Sequence, residues 1–314
     1  MPEAPALTAV AMDDFALRLG PSAVNAVPSE LLRARDSIRT ALAALREIPD
    51  GSLERVWKWR DGDVDVRYGI YRQYEVVEDA RARVQSLLAG ASETETPARP
   101  LVAAASAARW DLHGLLAGLD DGDLDRDPGN GEWTVRQTLA HIVGGQRGYA
   151  WYTAWWLAQR DAPAEDVPLS VPDDAIDLPE ESTEGEGSLA DIQRRFDEIV
   201  DLSATAYAGL GAVELAARGR WSGVPVDVRF RLVRWGSHIR EHTIQVEKTL
   251  GFIGRPVTEV DRVLRLIADA CGRLEENVFP APASPRLAEA LALVESAAAE
   301  VEAGARSVVE AARQ

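Results

Sequence analysis

The sequence predicts an all-α protein. Apolar residues recur at helical spacing along most of its 314 residues. Typical helix-capping residues precede several of these stretches, and Gly- and Pro-rich segments separate them. One short stretch alternates instead, with Val224, Val226 and Val228 suggesting an extended segment over residues 221–229. From this pattern we expect the chain to be almost entirely helical, and we expect the N- and C-terminal helices to pack together as a second bundle beside the central helices.

The composition restricts the classes of function. The net charge of −17 argues against a nucleic-acid partner, because phosphate binding needs concentrated Lys and Arg. The first fourteen residues lack the positive charge of a signal peptide, and no apolar run is long enough to span a membrane. The single cysteine, Cys271, excludes an internal disulfide. We therefore expect a cytoplasmic protein with no membrane partner.

The N-terminal region, residues 1–99, contains two predicted helices. The first covers residues 29–48 and ends at the breaker Pro49-Asp50-Gly51. A connection containing two tryptophans follows, and the second helix covers residues 66–88, with Asp65 placed to cap it. The polar residues 90–100 form the predicted linker.

The central region, residues 100–254, repeats this pattern. One helix is predicted over residues 101–119 and a longer one over residues 134–159, where Thr134 and Gln137 form a capping box. Ser188 with Asp191 begins another helix, and residues 234–250 form the fourth. The C-terminal region, residues 255–314, is predicted as a hairpin of two helices over residues 257–276 and 286–312.

An internal duplication is one interpretation of this repetition. At an offset of 69 residues, Asp65 falls on Thr134 and Arg67 falls on Arg136. On this overlay Arg72 takes the place of His141, so the second bundle would be a degenerate, metal-free copy. The alternative is chance similarity between two helical hairpins of similar length.

Residues 161–187, the acidic segment, interrupt the helices. They include ten acidic residues, several prolines and no basic residue, so we expect no packed element there. A solvated loop is the simpler interpretation, and a lid over a functional site is the other.

Three of the four histidines are candidate metal ligands. His238 and His242 are one helical turn apart on an apolar face, so both imidazoles point the same way. Two ligands do not complete a tetrahedral site, and His141 is the candidate third. Gly144, Gly145 and Gly148 follow it, although each glycine costs a helix roughly 0.8–1.0 kcal/mol relative to alanine. The fourth histidine, His113, is interpreted as a core residue.

The residues Gly131-Glu-Trp-Thr-Val-Arg-Gln-Thr-Leu-Ala-His141, followed by His238-x-x-x-His242, resemble the DinB-like superfamily. The similar branch is the mycothiol-dependent maleylpyruvate isomerase group, which carries a glutamate where this chain has His238. The resemblance implies an up-down four-helix bundle that binds one divalent metal, zinc or alternatively nickel. It also implies a thiol S-transferase or isomerase whose partners are a small-molecule thiol and an electrophile.

The thiol is predicted to be mycothiol. The chain has 32 arginines and only two lysines, a composition typical of GC-rich actinobacteria. Within the site, Glu241 is a candidate for orienting His238 or for acting as a base.

Two alternatives remain at this stage. His238-Ile-Arg-Glu-His242 also matches the H-x-x-E-H motif of a class of zinc peptidases, in which the glutamate is the general base. A non-catalytic binding module is the other, with the tryptophan-rich residues 149–157 lining its pocket, although such tryptophans are more often core. The sequence leaves open whether the chain forms a homodimer.

Overall fold

A computed structural model describes residues 27–89, 95–163 and 168–314 of the chain. The helices of these residues are α1 (Ser29–Leu45), α2 (Val66–Leu88), α3 (Arg99–Leu116), α4 (Val135–Ala158), α5 (Leu189–Tyr207), α6 (Ala212–Leu215), α7 (Val228–Phe252), α8 (Glu259–Glu275) and α9 (Leu287–Arg313). The strands are β1 (Val56–Trp59), β2 (Gly62–Asp65), β3 (Arg218–Trp221) and β4 (Val224–Asp227). Among the helices described, none combines the length and apolar character needed to cross a lipid bilayer.

The helices form two bundles that share one continuous hydrophobic core. In the central bundle, α7 and α5 each pack against both α3 and α4. In the second bundle, α9 and α8 each pack against both α1 and α2. The predicted all-α class is confirmed, and the N- and C-terminal helices do pack together. The division into regions 1–99, 100–254 and 255–314 stays a prediction.

Helix α3 joins the two bundles by packing closely along α8. A Cβ atom on Gly114 would lie 2.7 Å from the Cα of Arg265, and one on Gly272 would lie 2.9 Å from the carbonyl oxygen of Ala107. Because no side chain larger than hydrogen fits at either position, the two backbones can approach directly. The bundles therefore meet along a tight interface.

A buried charge network also crosses this interface. Glu275 of α8 accepts hydrogen bonds from Arg35 of α1 at 2.7 and 2.9 Å and from Arg109 of α3 at 2.5 Å. Both arginines also donate to Asp201 of α5. Burial alone would raise the pKa of Glu275, but the two guanidinium charges outweigh it and hold the pKa at about 2. The network ties four helices together.

Two β-hairpins precede α2 and α7. Strands β1 and β2 pair antiparallel, as do β3 and β4, and the last residue of each hairpin caps the following helix. Asp65 accepts from the backbone N–H of Tyr68, and Asp227 accepts from that of Phe230, both at 2.7 Å. The extended stretch predicted before the histidine helix is thus a hairpin that starts at Arg218. The first hairpin was predicted only as a connection.

One similarity favours the proposed 69-residue overlay. In each region, an aspartate in the connection after the first helix accepts from the N-terminal N–H groups of a distant helix. Asp50, after α1, accepts from the first N–H groups of α8, and Asp121, after α3, accepts from that of α5. Against this, the described residues contain a hairpin before α2 and none before α4, where the overlay would place one. Arg72, overlaid on His141, pairs with Glu75 at 3.1 Å. The duplication stays a prediction.

The expectation that the acidic segment forms no packed element is wrong for its C-terminal part. Residues Glu181–Gly185 form a 3-10 turn that packs on α4. Glu184 is only 3% exposed and pairs with Arg147 of α4 at 2.5 Å. Arg195 of α5 donates to its carbonyl oxygen at 2.9 Å. Arg147 and Arg195, from two helices, thus lie beside the buried carboxylate of Glu184, for which the acidic segment itself has no basic partner.

Candidate metal centre

Helices α4 and α7 carry the three candidate ligands, and their ends are set by local capping. The hydroxyl of Thr134 accepts from the N–H of Gln137, whose side chain accepts from the N–H of Thr134, so α4 begins at Val135 as predicted. His141 then lies in the second turn of α4. Helix α7 runs from Val228 and packs against α4 through the face that carries His238 and His242.

The three imidazoles converge. One nitrogen from each of His141, His238 and His242 lies within 4.8 Å of the others, and the Nε2 atoms of His141 and His238 are 3.3 Å apart. Ring centroids are separated by 4.4 to 5.1 Å. His238 and His242 are 4% and 9% exposed, whereas the side chain of His141 is 27% exposed. A cluster of this kind could bind one metal ion.

Each imidazole also contacts a polar side chain through its Nδ1 atom. The carboxylate of Glu181 lies 3.0 Å from Nδ1 of His141, and the amide oxygen of Gln245 lies 2.7 Å from Nδ1 of His242. The amide of Gln146 lies 3.5 Å from Nδ1 of His238. Acceptors at Nδ1 of His141 and His242 place the proton there and leave the Nε2 lone pairs free. This is the tautomer in which Nε2 binds a metal.

Burial also favours the neutral form of two of the rings. It lowers the pKa of His238 to about 3, with neighbouring His242 and His141 adding to the effect. Burial likewise lowers the pKa of His242, against an opposing hydrogen bond to Gln245. At neutral pH these imidazoles are uncharged, the state that a metal ligand needs.

The glycines after His141 have separate roles. A Cβ on Gly145 would lie 2.5 Å from Cε1 of His238, and one on Gly144 would lie 3.0 Å from the side chain of Glu181. At Gly148 the nearest atom would be 3.9 Å away, which is ordinary contact. Gly145 therefore makes room for a candidate ligand, and Gly144 makes room for the residue that orients another.

Residues 104–246 match the family model of the DinB superfamily. This segment is a DinB-like domain. It includes α4, which carries His141, and the part of α7 that carries His238 and His242. No curated protein and no solved structure matches the chain.

An open cleft of about 860 Å³ adjoins the histidines of the DinB-like domain. Helix α4 contributes Tyr149, Tyr152 and Trp156, and helix α7 contributes Arg231 and Arg234. The acidic segment and the β3–β4 hairpin supply further lining residues, which are Leu169, Ser170, Val171, Asp173, Ile176, Leu178, Glu181, Arg220, Trp221, Ser222 and Gly223. The histidines thus lie in the wall of a space that admits a small molecule.

Glu241 lines this cleft but does not orient His238. Its carboxylate accepts from Arg234 at 2.8 Å, and this bond holds its pKa below the usual range. The residues placed against Nδ1 atoms are Glu181, Gln146 and Gln245, none of which we identified from the sequence. Gln245 is three residues after His242, so helical spacing could have identified it. Glu181 lies 40 residues from His141, and no sequence pattern connects them.

The remaining predicted residues fall outside the cluster. His113 is buried between α3 and α5, where its Nε2 lies 2.8 Å from Asp197 and its Nδ1 lies 3.1 Å from Gln193. In the tryptophan-rich stretch, Trp151 and Trp155 are buried in a small apolar cluster. Trp156 is also buried but lines the cleft. Core and pocket roles are therefore both present in this stretch.

Proposed function

We propose that His141, His238 and His242 bind one divalent metal ion, with zinc the first candidate and nickel the second. The donor set fits zinc, which prefers imidazole nitrogen and tetrahedral geometry. Two nitrogens bound at about 2.0–2.1 Å and at the tetrahedral angle would lie about 3.3–3.4 Å apart. The 3.3 Å between the Nε2 atoms of His141 and His238 matches this spacing. It is the observation that carries the proposal.

Three protein ligands leave a fourth position for chemistry. A metal bound there would supply Lewis acidity, lowering the pKa of a thiol or water at that position. Glu181 and Gln245 would hold their histidines in the required tautomer. The acidic segment and the hairpin would border the position on the cleft side and limit its access to water.

We further propose that the reaction is S-transfer or isomerisation with a low-molecular-weight thiol. Support comes from the DinB-like domain and from the position of the single cysteine. Cys271 is buried in α8, outside the cleft, and burial raises its thiol pKa far above the ordinary value. The chain therefore has no thiol of its own for the reaction. The Arg-rich composition favours mycothiol as the thiol. The single, unpaired cysteine suits a reducing compartment, so we propose the cytoplasm as the location.

The test is thiol transfer to an electrophile, measured alongside metal content. Protein purified without a tag would be assayed with mycothiol and 1-chloro-2,4-dinitrobenzene, before and after removal of metal by a chelator. We expect turnover that is lost on chelation and restored by zinc or nickel, and that is absent from H238A. The H113N variant is the matched control, since it removes the histidine outside the cluster, and it should retain metal and activity.

Two outcomes would contradict the proposal in different ways. One equivalent of metal without thiol transfer would favour a non-catalytic binding module with a structural ion. Equal activity of H238A and the parent protein would separate the reaction from the histidine cluster altogether.

A further inference from the structure

Arg231 differs from the other buried arginines that the structure describes. Arg35, Arg99 and Arg109 are also buried, and each forms an ion pair with a carboxylate. Arg231 is 3% exposed, and no carboxylate of the described residues lies within ion-pair distance of it. One of its terminal nitrogens donates to the carbonyl oxygen of Arg220, and its Nε has no acceptor. A buried guanidinium in this state is costly unless a partner arrives.

Aromatic rings and a further hydrogen-bond donor surround this guanidinium in the wall of the cleft. The guanidinium carbon lies 5.7 Å from the ring centroid of Tyr152, and both residues line the cleft. Trp156, also in the cleft wall, has a buried indole N–H without an acceptor. Asp173 also lines the cleft, but among the described residues it makes no ion pair with Arg231. This part of the cleft therefore combines hydrogen-bond donors that lack acceptors with the rings of aromatic side chains.

Arg231 lies seven residues before His238 on α7, which is two turns and about 10 Å along the helix axis. Tyr149 spans the interval, with its ring centroid 5.3 Å from that of His238. A molecule held by its anionic end at Arg231 would reach the histidines with its other end. Gly148, four residues before Tyr152 on α4, also lines the cleft and has no side chain to fill it.

We propose that Arg231, together with Trp156 and Tyr152, is a carboxylate-binding subsite, and that the substrate of the cleft is an aromatic or similarly planar carboxylic acid. A guanidinium pairs with a carboxylate through two parallel N–H···O bonds, which suits a planar anion. This inference deepens the proposed function, because the acid would be the electrophile. It does not depend on the metal, because the anion is recognised two helical turns from the histidines.

The test is binding of 2-naphthoate and of its neutral analogue 2-naphthamide, followed by calorimetry. Chelator-treated protein is used as well as untreated protein, so that a carboxylate–metal bond cannot account for the signal. We expect 2-naphthoate to bind at least 10-fold more tightly than the amide in both preparations. In R231Q the acid should lose at least 10-fold in affinity, while the amide should change less than 2-fold.

Two further variants make the result specific. R231K keeps the charge without the planar fork and should fall between the parent protein and R231Q. R240Q removes a half-exposed arginine from the same helix, outside the cleft, and should bind both probes as the parent does. Equal affinity for acid and amide, unchanged acid binding by R231Q, or no acid binding by the parent protein would each overturn the inference. Parent protein that binds 2-naphthoate as expected but carries no metal as purified would instead contradict only the proposed metal centre.

Discussion

The substitution Gly145→Ala would test the role of this glycine beside the histidine cluster. The added Cβ would lie 2.5 Å from Cε1, 3.1 Å from Nε2 and 3.3 Å from Nδ1 of His238. Ordinary contact begins near 3.4 Å, so the imidazole must move by about 0.9 Å, the difference between 3.4 and 2.5 Å. His238 is 4% exposed and packs against the ring of Tyr149, so this movement displaces well-packed neighbours.

The expected magnitudes follow from this displacement. Overpacking of a core costs about 1–3 kcal/mol, and replacing glycine by alanine in a helix returns about 0.8–1.0 kcal/mol. The free energy of unfolding should therefore fall by roughly 0–2 kcal/mol. Metal–ligand distances tolerate about 0.2 Å, so the affinity for zinc should fall by more than about 100-fold, beyond the usual effect of changing an outer partner.

Gly148→Ala is the matched control for this variant. Its Cβ would meet no atom closer than 3.9 Å, so it should stabilise the helix by about 0.8–1.0 kcal/mol and leave zinc affinity unchanged. Zinc affinity would be measured by competition with a chromophoric chelator, and stability by urea unfolding. Wild-type zinc affinity in the Gly145 variant, or equal losses in both variants, would refute the steric argument.

Three further predictions concern the residues around the site and the joint between the bundles. Removing the acceptor of His141 with E181A should lower zinc affinity by about 10–100-fold in the same competition assay, whereas E180A, at the exposed neighbouring position, should have no effect. E184A should free the packed part of the acidic segment, so that limited proteolysis cuts there faster than in the parent protein; equal rates would show that this carboxylate does not hold the segment. E275Q should lower the free energy of unfolding in urea at pH 7 by about 3–5 kcal/mol, because it removes the more buried of the two carboxylates that Arg35 and Arg109 share. The pKa of Glu275 is about 2 when folded and about 4.3 when unfolded, so its stabilisation is complete above pH 4.3 and is lost as pH falls towards 2. The difference between parent and E275Q should accordingly shrink by about 3 kcal/mol over that range, and a constant difference would contradict the assignment.

Features that depend on nearby residues were predictable from the sequence. The capping box of Thr134 and Gln137 fixed the start of α4, because both hydrogen bonds join residues three apart. The four-residue spacing of His238 and His242 placed both rings on one face of α7 for the same reason. The meeting of these rings with His141 required two distant helices to pack, and the family resemblance supplied that step.

Features that depend on distant contacts were missed. The strand Val56–Trp59 is too short to establish a period of two, and it is held partly by the indole N–H of Trp57, which donates to Ser307 of α9 at 3.0 Å. The packed turn at Glu181–Gly185 relies on arginines of α4 and α5, which local composition does not reveal. Composition gave the charge of this segment correctly but not the partners that neutralise it.

The most direct test of the account is X-ray absorption at the metal edge on protein purified without a tag, together with its metal stoichiometry. We predict one equivalent of zinc or nickel with three imidazole nitrogens at about 2.0–2.1 Å, the distance expected for zinc, and loss of that ion in H141A and H242A. Less than a tenth of an equivalent after growth with added metal would contradict the account, as would a bound ion that survives both substitutions.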